Sequence, residues 1–345
     1  MNLIANTKVI SIIIGILCFL CFNISYGILS IHSCPIIIKI VSCGLSVFLC
    51  ILFLMLCNHT KRGIPLLELV KSIMPSLIIV IICGWLILIC LVYFFRYQVL
   101  YTDSHRSKNC FERIQMQDEQ FENIDIVTVD HINLQGYLYK KQSNEKTPLA
   151  IYFGGRGEEA TNIVEYATKI KSGWALAFIN YRGCGSSTGR QDSELMFSDA
   201  AFIYDYFSNR DDIDNENIII ISHSLGTGIA IHLASQRDIK GIILSCAYDK
   251  YVTGVIQDKL PLVPIKLLIK EEYNSISIAP KLKNQVLFLL AEDDKTVVRS
   301  RSMKLFNHWG SKNKKISVIY DTNHESITFN DLTWSNINNF IDNIH

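Results

Sequence analysis

The sequence predicts an α/β fold, a mostly parallel sheet with helices on both faces, preceded by about three transmembrane helices. Three observations point there. Residues 1–95 are nearly uncharged and contain three long apolar runs. From about residue 126 short apolar runs alternate with amphipathic stretches of helical length, the pattern of a parallel sheet covered on both faces. Small turns rich in Gly and Ser follow three of those runs, where an open α/β sheet binds its ligands.

The chain has 345 residues, with 33 Lys and Arg against 32 Asp and Glu, a formal net charge of +1. That balance excludes a basic nucleic-acid binder and an acidic disordered chain as first readings. Up to Phe95 the charges are Lys8, Lys39, Lys61, Arg62 and Lys71 against Glu68 alone. The runs 9–29, 36–57 and 76–95 each have the length needed to cross a hydrocarbon core of ~30 Å. Lys39 lies near an end, where it can snorkel. The third run closes on Tyr93-Phe94-Phe95-Arg96-Tyr97, an aromatic and basic interface pattern. Pro35 and Pro75 fit helix starts, where a missing N–H costs little. A cleaved signal peptide is the alternative for the first run, but only Lys8 precedes it and no small-x-small site follows. The expected location is an integral, multi-pass membrane protein with the lipid bilayer as partner. Lys and Arg near the membrane ends almost tie between the two sides, so the orientation stays open.

Of the 11 cysteines, Cys110, Cys184 and Cys246 lie away from the apolar runs. Three scattered thiols form neither a disulfide framework nor a zinc pattern.

The stretch 96–125 is polar and reads as a linker with some helical character. A domain over 126–345 follows. Its first two runs, 126–129 and 134–139, are separated by Asp130-His131-Ile132-Asn133, a hairpin signal. Strands are then expected at 149–153, 175–179, 218–221, 239–245, 286–290 and 316–320. Helices are expected at 159–170, 193–207, 226–234, 296–309 and 327–344. The interval 247–284 breaks the rhythm with Pro261, Pro264 and Pro280 and reads as a short lid over the strand ends.

The sharpest motif is Ser222-His223-Ser224-Leu225-Gly226, after a strand and opening a helix. That context exposes the central Ser224 hydroxyl on a tight turn. The backbone N–H of Leu225 then faces a developing oxyanion, with a helix N-terminus behind it. A serine nucleophile needs a general base and an orienting acid, in the chain order Ser, acid, His for this type of turn. Asp294 and His324 each follow a predicted strand, in that order; Asp293 is a rival for the acid. His223 reads as packing, and His131 and His308 as surface. The glycine-rich Phe153-Gly154-Gly155-Arg156-Gly157 follows the first central strand, and the Arg156 N–H is the expected second oxyanion donor. An ordinary Gly-rich turn is the alternative, and a phosphate-binding reading is weaker because no Gly-Lys-Ser/Thr follows as a P-loop needs.

On these residues the chain from about Ile126 onward resembles an α/β hydrolase. It is most similar to the membrane-anchored abhydrolase-domain and serine-aminopeptidase-like branch. Asn180-Tyr181-Arg182-Gly183-Cys184-Gly185-Ser186-Ser187-Thr188-Gly189 is similar to that branch's D-Y-R-G-x-G-x-S-x-G segment, with Asn in the leading place. Leu260-Pro261-Leu262-Val263-Pro264 resembles its lid, and Asn323-His324-Glu325 its histidine turn. Leu290-Ala291-Glu292-Asp293-Asp294-Lys295-Thr296-Val297 resembles its h-G-x-x-D-x-x-V acid segment, which favours Asp294. Two departures are Gly154 where the branch carries His, and Ser222 where it carries Gly.

The expected function is a membrane-anchored serine hydrolase that cleaves ester or thioester bonds through Ser224, Asp294 and His324 and an acyl-enzyme. It needs no metal or organic cofactor. Tethering beside a bilayer and a lid rich in aliphatic residues favour acyl-chain substrates, either lipids or acylated proteins. An aminopeptidase-like amide hydrolase on the same scaffold, or a non-catalytic membrane receptor or scaffold, are the alternatives.

Overall fold

The computed structural model describes residues 66–102 and 120–344. The runs 9–29 and 36–57 lie outside the described residues. The chain divides into two compact units, residues up to Leu91 and Val92–His345.

Helix α1 (Leu66–Phe94) starts ahead of the predicted third run and holds Pro75 in its interior, not at its start. The Leu- and Glu-containing residues before Pro75 are good helix formers and carry the helix back past it. Ile79, Ile81 and Phe94 of α1 are 60%, 61% and 74% exposed. Among the described residues no helix is long and apolar enough to cross a membrane.

The stretch predicted as a linker contributes two elements to the second unit, a helical turn α2 (Arg96–Leu100) and strand β1 (Phe121–Val127). Residues 103–119 lie outside the described residues. α2 and the two residues after it form a strap. Leu100 and Tyr101 are fully buried. The Tyr101 hydroxyl donates to Glu271 and lies 3.2 Å from the Tyr273 hydroxyl. The Leu100 carbonyl accepts from Tyr251, and the Val99 carbonyl from the Arg156 guanidinium at 3.0 Å. Arg190 stacks over Tyr97, 4.1 Å from its ring centre. A chain starting at Arg106 is therefore expected to lose stability and solubility, while one starting at Val92 keeps both. The check is the thermal midpoint of the two forms, and equal midpoints would show the strap to be dispensable.

Strands β2 (Asn133–Tyr139), β3 (Thr147–Phe153), β4 (Ala175–Ile179), β5 (Ile213–His223), β6 (Gly241–Ser245), β7 (Gln285–Asp293) and β8 (Lys314–Asn323) complete one eight-stranded sheet. Its order is β1-β2-β4-β3-β5-β6-β7-β8. β1 with β2 and β2 with β4 run antiparallel, and every other pair runs parallel. The β1–β2 hairpin turns through His131 in the left-handed region. The all-apolar Ile218–Ile221 segment sits at the centre and is buried on both faces, as its β-branched composition requires. Helices α3 (Thr161–Ala167), α4 (Ser193–Ser208), α5 (Leu225–Ala234), α6 (Arg299–His308) and α7 (Asp331–Asp342) follow β3, β4, β5, β7 and β8. Asp192 caps α4 by accepting from Glu194 and Leu195 N–H. The interval after β6 holds only short helical segments. Its Ile265 and Ile269 are buried, whereas Leu262 and Leu267 are 77% and 81% exposed.

The Asn180–Gly189 segment is a structural clamp beside the carboxyl ends of β3 and β4. Arg182 makes two hydrogen bonds to Asp199 at 2.5 and 2.6 Å, both side chains being buried. Asn180 accepts from the Ala160 N–H at 2.7 Å, a role an Asp in that place would also fill.

Candidate active site

Ser224 joins β5 to α5 as the helix N-cap, with φ 48°, a left-handed conformation that lifts its side chain out of the strand direction. Its N–H donates to the Ser245 carbonyl at 3.0 Å, which pins the turn to β6. A Cβ on Gly226 would lie 2.1 Å from the Phe153 carbonyl, so only glycine lets α5 approach β3 this closely. Ser222 takes the place of a glycine without strain, because its hydroxyl donates to the Ile243 carbonyl at 3.0 Å.

The structure brings the three sequence-predicted side chains together. His324 Nε2 lies 2.8 Å from Ser224 Oγ. His324 Nδ1 lies 2.9 and 3.0 Å from the two Asp294 oxygens. Asp294 is further fixed by the N–H groups of Thr296 and Val297, each 2.8 Å from Oδ1. Asp294 and His324 are 6% and 7% exposed at the side chain. Burial alone would raise the Asp294 pKa, but the hydrogen bond and charge of His324, with the Val297 amide, hold it below the usual carboxylate value. Asp293 instead ends β7 exposed, paired with the exposed Lys295 at 3.0 Å.

Ser224 and His324 open onto a cavity of about 370 Å³. Gly155, Arg156 and Gly157 form one rim of it, and the strap's Val99 another. Val255, Ile256 and Leu260 of the lid, with Phe329, supply an apolar wall; the other aliphatic lid positions face elsewhere. Leu225 N–H is the first of α5, and the first amides of a helix have no intrahelical acceptor. Arg156 and Lys259 bring two cations to the cavity; of its two carboxylates, Glu158 is tied to Gly155 and His223, and Glu325 lies beside His324. Burial, and then the charge of Arg156, hold Lys259 below the usual lysine pKa.

Three neighbours of the site escape sequence reasoning. Glu158 Oε2 accepts the Gly155 N–H at 2.6 Å, and its Oε1 accepts from the Tyr152 hydroxyl at 2.8 Å. His223, read as packing, is buried but forms a polar bridge. Its Nδ1 lies 3.2 Å from Glu158 Oε2, and its Nε2 lies 2.9 Å from the His324 carbonyl. Cys246, at φ 53°, lies beside Asp294; its own burial and then the Asp294 charge push the thiol pKa up. His223, Cys246 and His324 place three potential metal-ligand atoms within 4.8 Å of one another. Both ring nitrogens of His223 and of His324 already hold the hydrogen bonds just described, so this cluster is not an open coordination set.

A family model of the alpha/beta hydrolase fold matches residues 153–267, which run from β3 through the elbow into the lid. An uncharacterized membrane protein of Saccharomyces cerevisiae is 26% identical over 64% of this chain and 79% of its own. The lysophosphatidylserine lipase ABHD12 of Danio rerio is 26% identical over 49% of both chains. The chain spans 64% of the length of an uncharacterized Mycobacterium tuberculosis relative at 24% identity. Among solved structures, the Pyrococcus furiosus esterase Pf2001 superposes with a TM-score of 0.54 at 14% identity, over 70% of this chain and 97% of that one. That likeness speaks to the fold, and the sequence relatives carry the narrower resemblance. The chain has the α/β-hydrolase fold and is similar in sequence to ABHD12-type abhydrolase-domain proteins.

Proposed function

We propose that this protein is a membrane-anchored serine hydrolase acting on acyl esters or thioesters. The observation that carries the reading is the unbroken hydrogen-bonded line Ser224–His324–Asp294 at the floor of a half-apolar cavity. His324 Nε2 takes the Ser224 proton as Oγ attacks the acyl carbonyl carbon. Asp294 keeps the imidazole in the tautomer that presents Nε2 and balances the imidazolium. The Leu225 and Arg156 N–H groups stabilise the tetrahedral oxyanion, and losing one such donor typically costs ~10²–10³ in rate. His324 returns the proton to the departing alcohol or thiol. Water, deprotonated by His324, then frees the acid from Ser224.

Arg156 and Lys259 favour a substrate that carries an anionic group beside its acyl chain, and disfavour the free amine of an aminopeptidase substrate. A lysophosphatidylserine lipase among the relatives agrees with this chemistry. The exposed isoleucines of α1, and a relative named as a membrane protein, support an anchor. The test is fatty-acid release from lysophospholipids by the full chain in vesicles. Lys259→Met is expected to raise KM about tenfold for an anionic head group, equivalent to ~1.4 kcal/mol, and to leave a zwitterionic one within about twofold. Equal effects on both would remove the anionic-substrate reading, and no release of either acid would remove the hydrolase reading.

A further inference from the structure

We infer that Glu158 and His223 are positioning residues of the reaction, a bridge that holds the oxyanion loop and the turn carrying His324 in register across Ser224. The inference rests on the hydrolase reading above and adds two residues to it.

The bridge runs through four bonds. Tyr152 OH and Gly155 N–H donate to the two oxygens of Glu158. Glu158 Oε2 meets His223 Nδ1, and His223 Nε2–H donates to the His324 carbonyl. Its two ends are the parts of the site that must not drift. Gly155 adjoins Arg156, whose N–H is the second oxyanion donor. The carbonyl at the other end belongs to the general base itself. The His223 ring centre is 5.1 Å from that of His324. A Cβ on Gly155 would lie 2.9 Å from His223 Nδ1, so glycine is what lets the loop close onto this histidine.

The chemistry of the acceptors sets the protonation. A carboxylate on one side and a carbonyl on the other offer only lone pairs, so an imidazole that satisfies both carries hydrogen on both nitrogens. Glu158, 12% exposed at the side chain and receiving three donors, is the matching anion. Burial by itself would lower the His223 pKa, but the Glu158 hydrogen bond and charge raise it. Burial would likewise raise that of Glu158, and His223 brings it down. The groups facing His223 are Glu158 from the oxyanion loop, His324 and Glu325 from the histidine turn, and Cys246 from the end of β6. A largely buried charged pair is costly to break by halves, which makes its geometry stiff. Positioning to within tenths of an ångström is what a preorganised oxyanion site and base require.

The test is acyl-ester hydrolysis, with fluorophosphonate labelling rate in parallel, for full-length His223→Leu, His223→Gln and Glu158→Gln. Leucine fills the space but donates nothing. Glutamine keeps an N–H for the His324 carbonyl. Glu158→Gln keeps the acceptor for Gly155 and removes the charge. The expected result for His223→Leu is a fall in kcat of about 10²-fold with KM within about twofold, because position and not substrate binding is lost. His223→Gln recovers to within about fivefold of the wild type, and Glu158→Gln falls about tenfold. Wild-type kcat in a folded His223→Leu protein would overturn the inference. So would equal losses in His223→Leu and His223→Gln, since packing alone would then explain the residue. If His223→Leu fails to fold, Glu158→Gln at wild-type kcat overturns it equally. A wild-type chain that neither labels nor hydrolyses would point to failure of the hydrolase reading instead.

Discussion

Ser224→Ala is expected to lower acyl-ester turnover by about 10⁶-fold, the scale seen when the nucleophile of a working triad is removed. The change deletes one oxygen at the point where β5 turns into α5. Alanine and serine carry the same Cβ through the left-handed turn at φ 48°, so backbone strain is unchanged. What disappears is the 2.8 Å contact with His324 Nε2 and the atom that would bond to the acyl carbon. The thermal midpoint should stay within a few degrees of the wild type. Turnover within tenfold of wild type in a folded Ser224→Ala protein would remove Ser224 from the chemistry.

Asp294→Asn is the second large effect, with a drop in kcat of ~10⁴, while Asp293→Asn stays within about threefold. The two carboxylates are adjacent in sequence but differ in every physical respect. Asp294 is buried, receives the Thr296 and Val297 amides and faces His324 Nδ1. Asp293 is exposed beside Lys295. Those two amides hold Oδ1 as an acceptor, so an Asn at 294 would turn its NH₂ toward His324 Nδ1. The histidine would then adopt the tautomer with hydrogen on Nε2, which cannot take the Ser224 proton. Comparing kcat for the two variants measures the register directly, and the opposite ranking would put the orienting acid one residue earlier.

Much of this architecture was legible because local pattern and tertiary role agree. Ile218–Ile221 is a β-branched run followed by small residues and then a helical period, so both the strand and the elbow could be read from it. The predicted strands at 149–153 and 175–179 match β3 and β4 because each is apolar on both faces. The strap was not legible. Leu100 and Tyr101 stand in a polar stretch, and their burial depends on Glu271, Tyr273 and Tyr251, some 150 residues or more away in the chain. Glu158 and His223 meet across 65 positions and obey no spacing rule. His223 adjoins Ser224 but its side chain is expected to point elsewhere, which suggested packing, whereas its ring reaches across to the neighbouring turns. Pro75 was placed at a helix start from its local preference, and the surrounding helix formers override that preference. In the lid, aliphatic composition alone could not tell Ile256, on the cavity wall, from the exposed Leu262 and Leu267.

The central claim is that Ser224 is an activated nucleophile, and the most direct measurement is the site of covalent modification by a fluorophosphonate. The full-length protein is treated with the probe, digested, and its adduct mapped by mass spectrometry. The expected result is one phosphonylated peptide carrying the adduct on Ser224, absent from Ser224→Ala and formed far more slowly in Asp294→Asn. A folded wild-type protein that gains no adduct, or gains it on another residue, would contradict the claim.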